Sequence, residues 1–262
     1  MARKPSLSPS KFSTYLACPV KYRWTYIDDR GKWYLRAKSY YSFGTTLHHA
    51  LERFHQAGSS GVDATAEALA DYEENWIDAG FSSASEMAEA YHEGKEMLER
   101  HVEDYKKRET KGRVLFVEKQ LKLDMGMFDL TGRIDRVDEH DDGTLEIVDY
   151  KTGRDEVSAE DVETDIAMGC YQLLLSREFP GRHVTATIYA LRTGSQASAS
   201  LSHEHLDQLE KDVRLLGEEI LTQEYHDLTP RLKRLCDGCD FFPLCRRNEE
   251  FGDELGALST ES

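Results

Sequence analysis

The stretch GRIDRVDEHDDGTLEIVDYKTG, residues 132–153, decides the fold. On either side of Asp141-Asp142-Gly143, apolar and polar residues alternate with the two-residue period of a half-buried strand. An acidic-glycine turn between two such runs marks an antiparallel hairpin. With the turn centred near Asp142, residue numbers that pair across it sum to about 284. Asp135 and Asp149 meet that condition and are expected to be near neighbours on one face of the sheet. Lys151, two residues beyond Asp149, faces the same side.

Two adjacent carboxylates repel each other unless a cation sits between them. Hard oxygen donors suit Mg²⁺ or Mn²⁺. A lysine beside such an ion can hold, or help deprotonate, a water that attacks phosphorus. The plainer alternative is a solvated face, with Asp135 paired to Arg133 or Arg136 and Asp149 to Lys151.

Outward from the hairpin, residues 113–125 alternate as a further strand, and VTATIYALR (184–192) reads as another. Helices are predicted from Ser10 (with Ser10 as N-cap), over 44–57, over 62–110 with a break at Gly80 to Ser85, over 163–178 and over 203–223. The order is helices, a strand meander, helix, strand, helix. It predicts an α/β or α+β core between helical ends.

The chain has 262 residues, 39% hydrophobic and 31% charged, which suits one large domain or two small ones. No apolar run approaches the length of a membrane span. The opening MARKPSLSPSKF lacks an apolar core, so neither a secretory signal nor a membrane partner is expected, and a cytoplasmic location is. Without a Gly-x4-Gly-Lys-Ser/Thr loop, no ATP motor is expected. Net charge is −16, which opposes loose binding to polyanions. The charge is uneven, however. Residues 1–40 carry nine Lys/Arg against two Asp, and 231–247 carry five against two; 41–230 carry 19 basic and 40 acidic residues. The basic, aromatic-rich N-terminal segment (Phe12, Tyr15, Tyr22, Trp24, Tyr26, Trp33, Tyr34) suits single-stranded nucleic acid, unless these rings pack the helices instead.

Five cysteines in a reducing compartment favour metal ligation over disulfides. CDGCDFFPLC sets Cys236, Cys239 and Cys245 at Cys-x2-Cys-x5-Cys, and 217 residues separate Cys18 from Cys236. Cys170, in an apolar helix, reads as a core thiol. Four thiolates could hold Zn²⁺ or an iron–sulfur cluster. Either would clip the two ends of the chain together and join the two basic segments. On the chain-entropy model, closing so long a loop is worth about 5 kcal/mol.

GRIDRVD followed by EIVDYKTG resembles motifs II and III of the PD-(D/E)XK nuclease superfamily, in its RecB-like branch. FGTTLHHALERF resembles that branch's Gly-x3-His-x3-Glu helix through Gly44, His48 and Glu52, and YQLLLSREF resembles its glutamine motif through Gln172. The resemblance runs from about residue 10 to 247. It implies a restriction-endonuclease-like core, a mixed central sheet flanked by helices. His48, Asp135, Asp149 and the Tyr150 carbonyl would bind the catalytic Mn²⁺ or Mg²⁺; Lys151 would activate the water, and Gln172 would orient the lysine or the phosphate. Spacing from Gly44 selects His48 over its neighbour His49. The family's tyrosine four residues past the glutamine is here Ser176, with Tyr171 preceding Gln172 instead.

The cysteine set resembles that of the iron–sulfur RecB-like nucleases, among them the AddB nuclease domain and the CRISPR spacer-acquisition exonucleases. It implies a [4Fe–4S] cluster on Cys18, Cys236, Cys239 and Cys245. The expected organisation is one nuclease domain over 1–247. Residues 1–43 and 231–247 form a helical iron–sulfur cap, 44–230 the helical region and core, and 248–262 a polar, frayed tail. The implied activity is a single-stranded DNA exonuclease of DNA repair or recombination, with 5′-to-3′ polarity favoured and a helicase or single-strand-binding protein as partner. The alternatives are a CRISPR spacer-processing nuclease, an accessory nuclease subunit of a helicase complex, a catalytically decayed DNA-binding module and a zinc-stabilised scaffold.

Overall fold

The computed structural model describes residues 4–56, 64–107, 112–153 and 155–253. In chain order its elements are β1 (Ser6–Leu7), α1 (Pro9–Ala17), α2 (Pro19–Tyr22), α3 (Ser39–Gln56), α4 (Ala64–Glu74), α5 (Ala84–Lys107), β2 (Arg113–Asp124), β3 (Asp129–Glu139), β4 (Leu145–Lys151), α6 (Ala159–Thr164), α7 (Ile166–Glu178), β5 (Val184–Ala190), β6 (Gln196–Ala199), α8 (His203–Thr222) and α9 (Phe242–Cys245), with short π and 3-10 turns after α2. They divide into two compact units: Met1–Pro9 with Ala37–Arg214, and Ser10–Arg36 with Leu215–Ser262. The division falls before residue 10 and after residues 36 and 214, where the sequence suggested boundaries after 43 and before 231.

The first unit is built on β3. One edge of β3 pairs antiparallel with β2 along its length, from Arg113↔Glu139 to Asp124↔Asp129. Its other edge is shared by β1, parallel at Ser6↔Asp129 and Leu7↔Leu130, and β4, antiparallel from Glu139↔Leu145 to Arg136↔Val148. That is the register expected from the turn at Asp142, and Gly143 supplies the positive φ (87°) the turn needs. β4 continues in parallel with β5, and β5 antiparallel with β6, which gives a mixed sheet. The ladder between β3 and β4 stops at Arg136↔Val148. Beyond it, the Tyr150 N–H donates to the Asp135 side chain at 2.9 Å. The sheet opens where the two aspartates lie.

The apolar stripe of α3 (Phe43, Leu47, Leu51, Phe54) packs with Tyr72 of α4, Leu98, Val102 and Tyr105 of α5, and Val148, Tyr150 and Tyr189 of the sheet. On α7, Met168, Leu173 and Leu175 are wholly or almost wholly buried. Gly132 permits that helix its approach, since a Cβ there would lie 2.7 Å from Leu174 and 2.9 Å from Tyr171. The helix expected over 163–178 breaks at Asp165, whose extended backbone (ψ 120°) and side chain cap α7 by accepting from the N–H groups of Ala167 and Met168. β1 and β6 are too short to show an alternation. The ends of the helices expected over 44–57 and 62–110 lie outside the described residues.

The second unit packs on its aromatics. Phe12, Tyr15, Tyr22, Phe241 and Phe251 are all buried. Tyr22 stacks on Tyr225 at 5.6 Å, and the Tyr15 hydroxyl donates to Glu219 at 2.8 Å. Three of the rings considered for stacking on bases are therefore core residues. Phe251, in the segment expected to be frayed, is buried edge-on to Phe242; residues 254–262 of that tail lie outside the described residues.

Arg136 does not pair with Asp135. It projects to the opposite face, 1% exposed, with Nε 3.0 Å from Asp138 and Nη1 on His55 (2.8 Å) and on the Tyr150 hydroxyl. Burial raises the Asp138 pKa despite this partner. Breaking a buried pair leaves one charge stranded. Arg136→Met is thus expected to cost about 3–5 kcal/mol of unfolding free energy, seen as a lower urea midpoint. Adding Asp138→Leu should recover much of the loss. A cost below about 1 kcal/mol would show that the pair behaves as a solvated one.

Candidate active site

An open pocket in the first unit is walled by one face of α3 from Tyr40 to Glu52, by Glu118 of β2, by Arg133 and Asp135 of β3, by Asp149 to Thr152 at the end of β4, and by Tyr171 of α7. Strand alternation brings Asp149 and Lys151 to one face, and the Lys151 ammonium lies 2.7 Å from the Asp149 carboxylate. His48 reaches in from α3. Its Nδ1 is 3.4 Å from Asp135 and 3.9 Å from Glu118, and its Nε2 is 3.0 Å from the Tyr150 carbonyl. His49 turns instead to Asp71 of α4, at 2.9 Å. Helical rotation between adjacent residues gives the two imidazoles different partners, although both residues line the pocket.

Glu118 is the site residue that the sequence reading missed. It falls opposite Asp135, between the pairs Val117↔Arg136 and Lys119↔Ile134. Its φ is +50°, the left-handed region that a residue with a Cβ rarely enters. Such strain, of order 1–3 kcal/mol, is held where the surroundings over-determine the backbone. Here it goes with a carboxylate aimed at His48 and salt-bridged to Arg133. Register counted outward from the preceding turn, from Asp124↔Asp129, would have found it.

The electrostatics are those of crowded like charges. Asp149 is 5% exposed, and its pKa is pushed up to about 6, first by burial and then by Asp135, with Lys151 and His48 opposing. Burial alone would lower His48, yet Asp135 and Glu118 raise it to about 10. Burial also disfavours the Lys151 ammonium, but Asp149, Asp165 and Asp135 outweigh it and the pKa rises. Lys151 is therefore a charged donor at neutral pH. The donor set fits a divalent ion: the ligand atoms of His48, Glu118 and Asp135 lie within 4.8 Å of one another. The nitrogen of His48 that faces the two carboxylates is Nδ1, while Nε2 is hydrogen-bonded to the Tyr150 carbonyl at 3.0 Å.

Gln172 is not brought to this pocket. It is 1% exposed, and its side-chain oxygen accepts from the Leu201 N–H at 2.9 Å. Tyr171 takes the place on the wall. Ser176 lies elsewhere, in a depression with Arg182 and His183.

The second unit gathers the other four predicted ligands. Cys18, Cys236, Cys239 and Cys245 line one small cavity with Phe241, Phe242 and Phe251. Cys18 caps α2, accepting from the Lys21 N–H at 3.4 Å, and Cys236 accepts from the Lys233 N–H at 3.4 Å. Burial pushes Cys245 up to about 12, and Cys239, Cys18 and Cys236 add to the rise; Cys239 is raised by burial and by Cys236 and Cys18 as well. These thiols are close enough to repel as thiolates, which is what a multivalent cationic group would relieve. Cys170 is wholly buried with its pKa pushed up to about 12, first by burial, as suits a core thiol.

Comparison with known proteins follows the same geometry. The family model of the PD-(D/E)XK nuclease superfamily matches residues 6–246. A protein from Eubacterium rectale, provisionally described as an exonuclease, superposes with a TM-score of 0.53 over 94% of this chain and 89% of its own, at 12% identity, a likeness of fold. The protein SSO0001 aligns over 78% of this chain and 84% of its own, at 14% identity and a TM-score of 0.33, too low to carry an argument. No curated protein matches. With a mixed sheet flanked by helices, a carboxylate–lysine site at its open seam and a family match over nearly its whole length, the chain belongs to the PD-(D/E)XK nuclease superfamily.

Proposed function

We propose that the chain is a metal-dependent exonuclease that hydrolyses phosphodiesters at single-stranded DNA ends, in repair or recombination, and works in the cytoplasm. The observation that carries this is the convergence of His48, Glu118, Asp135, Asp149 and Lys151 on one open pocket. Among the described residues no helix is long and apolar enough to cross a membrane. The 5′-to-3′ direction and a helicase or single-strand-binding partner rest on family resemblance alone.

His48, Asp135, Asp149 and the Tyr150 carbonyl would hold Mn²⁺ or Mg²⁺, and the structure adds Glu118 to that set. The imidazole nitrogen favours Mn²⁺. When bound, the ion would polarise the phosphate and acidify a water. Asp149 holds the Lys151 ammonium in place. The ammonium is then a hydrogen-bond donor that orients the attacking water and steadies charge developing on the phosphate. The Tyr150 N–H fixes one Asp135 oxygen. Arg133, two-thirds exposed at the rim, offers a guanidinium to a neighbouring phosphate. Cys18, Cys236, Cys239 and Cys245 would hold a [4Fe–4S] cluster with a structural role.

End-labelled single- and double-stranded DNA, digested with Mn²⁺ or Mg²⁺, tests the reading. Asp149→Ala and Lys151→Ala should each slow cleavage by about 10²–10⁴-fold with the circular dichroism unchanged. Wild-type rates in Asp149→Ala would overturn the assignment.

Metal binding has its own pH signature. The Asp149 pKa is raised in the fold, so the stability it contributes is present below the ordinary carboxylate pKa and is lost as pH rises through about 6. An ion favours the carboxylate. The upward shift of melting temperature with Mn²⁺ should therefore grow from pH 5 to 7, and Asp149→Asn should raise the metal-free melting temperature at pH 7 while shrinking the shift. A shift independent of pH would remove Asp149 from the ligand set.

Anaerobically purified protein should be brown, with about four irons per chain. Cys236→Ala should lose colour and melt earlier, and any folded fraction should keep its Mn²⁺ requirement. Stoichiometric zinc without iron would replace the cluster with a zinc site.

A further inference from the structure

Among the described residues of the first unit, the exposed large hydrophobic side chains are Tyr40, Tyr41 and Met127. Two of these three line the catalytic pocket. Tyr40 and Tyr41, near the start of α3, are 59% and 67% exposed. Their ring centroids lie 4.4 Å apart with the planes tilted by 47°, so they form one continuous aromatic surface. The rings singled out in the sequence ended at Tyr34 and included neither.

Apart from the ion proposed for it, the pocket carries more acidic than basic side chains. Glu52, Glu118, Asp135 and Asp149 line it, with Lys151 and Arg133 as its lysine and arginine, and each of those two already faces a carboxylate. A contact that is not electrostatic adds affinity here without meeting those carboxylates. A tyrosine face beside the reacting phosphate provides one, because every base has a flat face and stacking tolerates any sequence. Bases inside a duplex have both faces covered by their neighbours, whereas an unpaired base has a face to give.

We propose that Tyr40 and Tyr41 form a stacking shelf for an unpaired nucleobase flanking the scissile phosphate, and that this shelf selects single strands. The inference rests on the reading of the chain as a single-strand nuclease and adds the subsite that would make it one. The two tyrosines bind and position; they take no part in the chemical step.

The test compares the wild type with Tyr40→Ala/Tyr41→Ala and Tyr40→Phe/Tyr41→Phe. Substrates are single-stranded oligonucleotides, either intact or with one abasic nucleotide at each position flanking the cleaved bond. The alanine pair should raise KM for the intact strand about 5- to 150-fold and leave kcat and the melting temperature near wild type. The phenylalanine pair should stay close to wild type, since the ring and not the hydroxyl stacks. At one flanking position an abasic nucleotide should cost the wild type a similar factor and cost the alanine pair little. Equal abasic penalties in both proteins, or a phenylalanine pair as impaired as the alanine pair, would overturn the shelf. Binding of a 2-aminopurine oligonucleotide in EDTA separates the two readings, because it needs no cleavage. Quenching on the wild type that is lost in the alanine pair supports the shelf even if no DNA is cut, and cleavage without such quenching keeps the nuclease and discards the shelf.

Discussion

The repulsion between Asp135 and Asp149 is the constraint around which the first unit is arranged. Two acidic side chains at facing positions of an antiparallel ladder are unfavourable neighbours. The ladder stops one pair short of them. Asp135 takes the Tyr150 N–H, and Asp149 takes Lys151. The strand opening, the strained backbone of Glu118 and the raised pKa of Asp149 all mark a place where negative charge is crowded. Stability is sacrificed at one point for chemistry, and the rest of the core carries the cost.

The opposite side of the same strands shows how that point is held still. Arg136 and Tyr150 are each one residue from an aspartate of the pocket, and alternation sends their side chains to the other face, where the guanidinium meets the phenol and His55. Helix α3 supplies His55 to this buried network and His48 to the pocket, two turns apart on one rigid element. The site is thus clamped from behind by groups that never meet a substrate. A helix, not a loop, sets the distance between imidazole and carboxylates.

Much of this was legible in the residues. The turn at Asp142 fixed the register, and period two then placed Asp135, Asp149 and Lys151 together. The resemblance of Gly44 and His48 to a family helix motif singled out the histidine whose ring faces Asp135. Other features depend on tertiary detail. Glu118 belongs to the strand before a different turn, and its reach comes from a φ of +50° that no residue type announces. Tyr171 and Gln172 are neighbours about 100° apart on a helix. Which of them meets the pocket depends on how α7 is rotated against Gly132 and on a hydrogen bond to Leu201. The rings of the N-terminal segment look alike in sequence, yet Tyr22 is core and Trp33 is 80% exposed.

The second unit is made from two distant pieces of chain, residues 10–36 and the segment after 214. Its contacts are therefore of very high order in sequence, the kind whose loop entropy must be met before any reward arrives. On the ribosome, at about 5–20 residues per second, Cys18 would wait roughly ten to forty seconds for Cys236 to be made. During that interval Phe12, Tyr15 and Tyr22 have none of the later residues that cover them. Until the later segment is made, the earlier one keeps an aromatic surface uncovered and a thiol without its three partners.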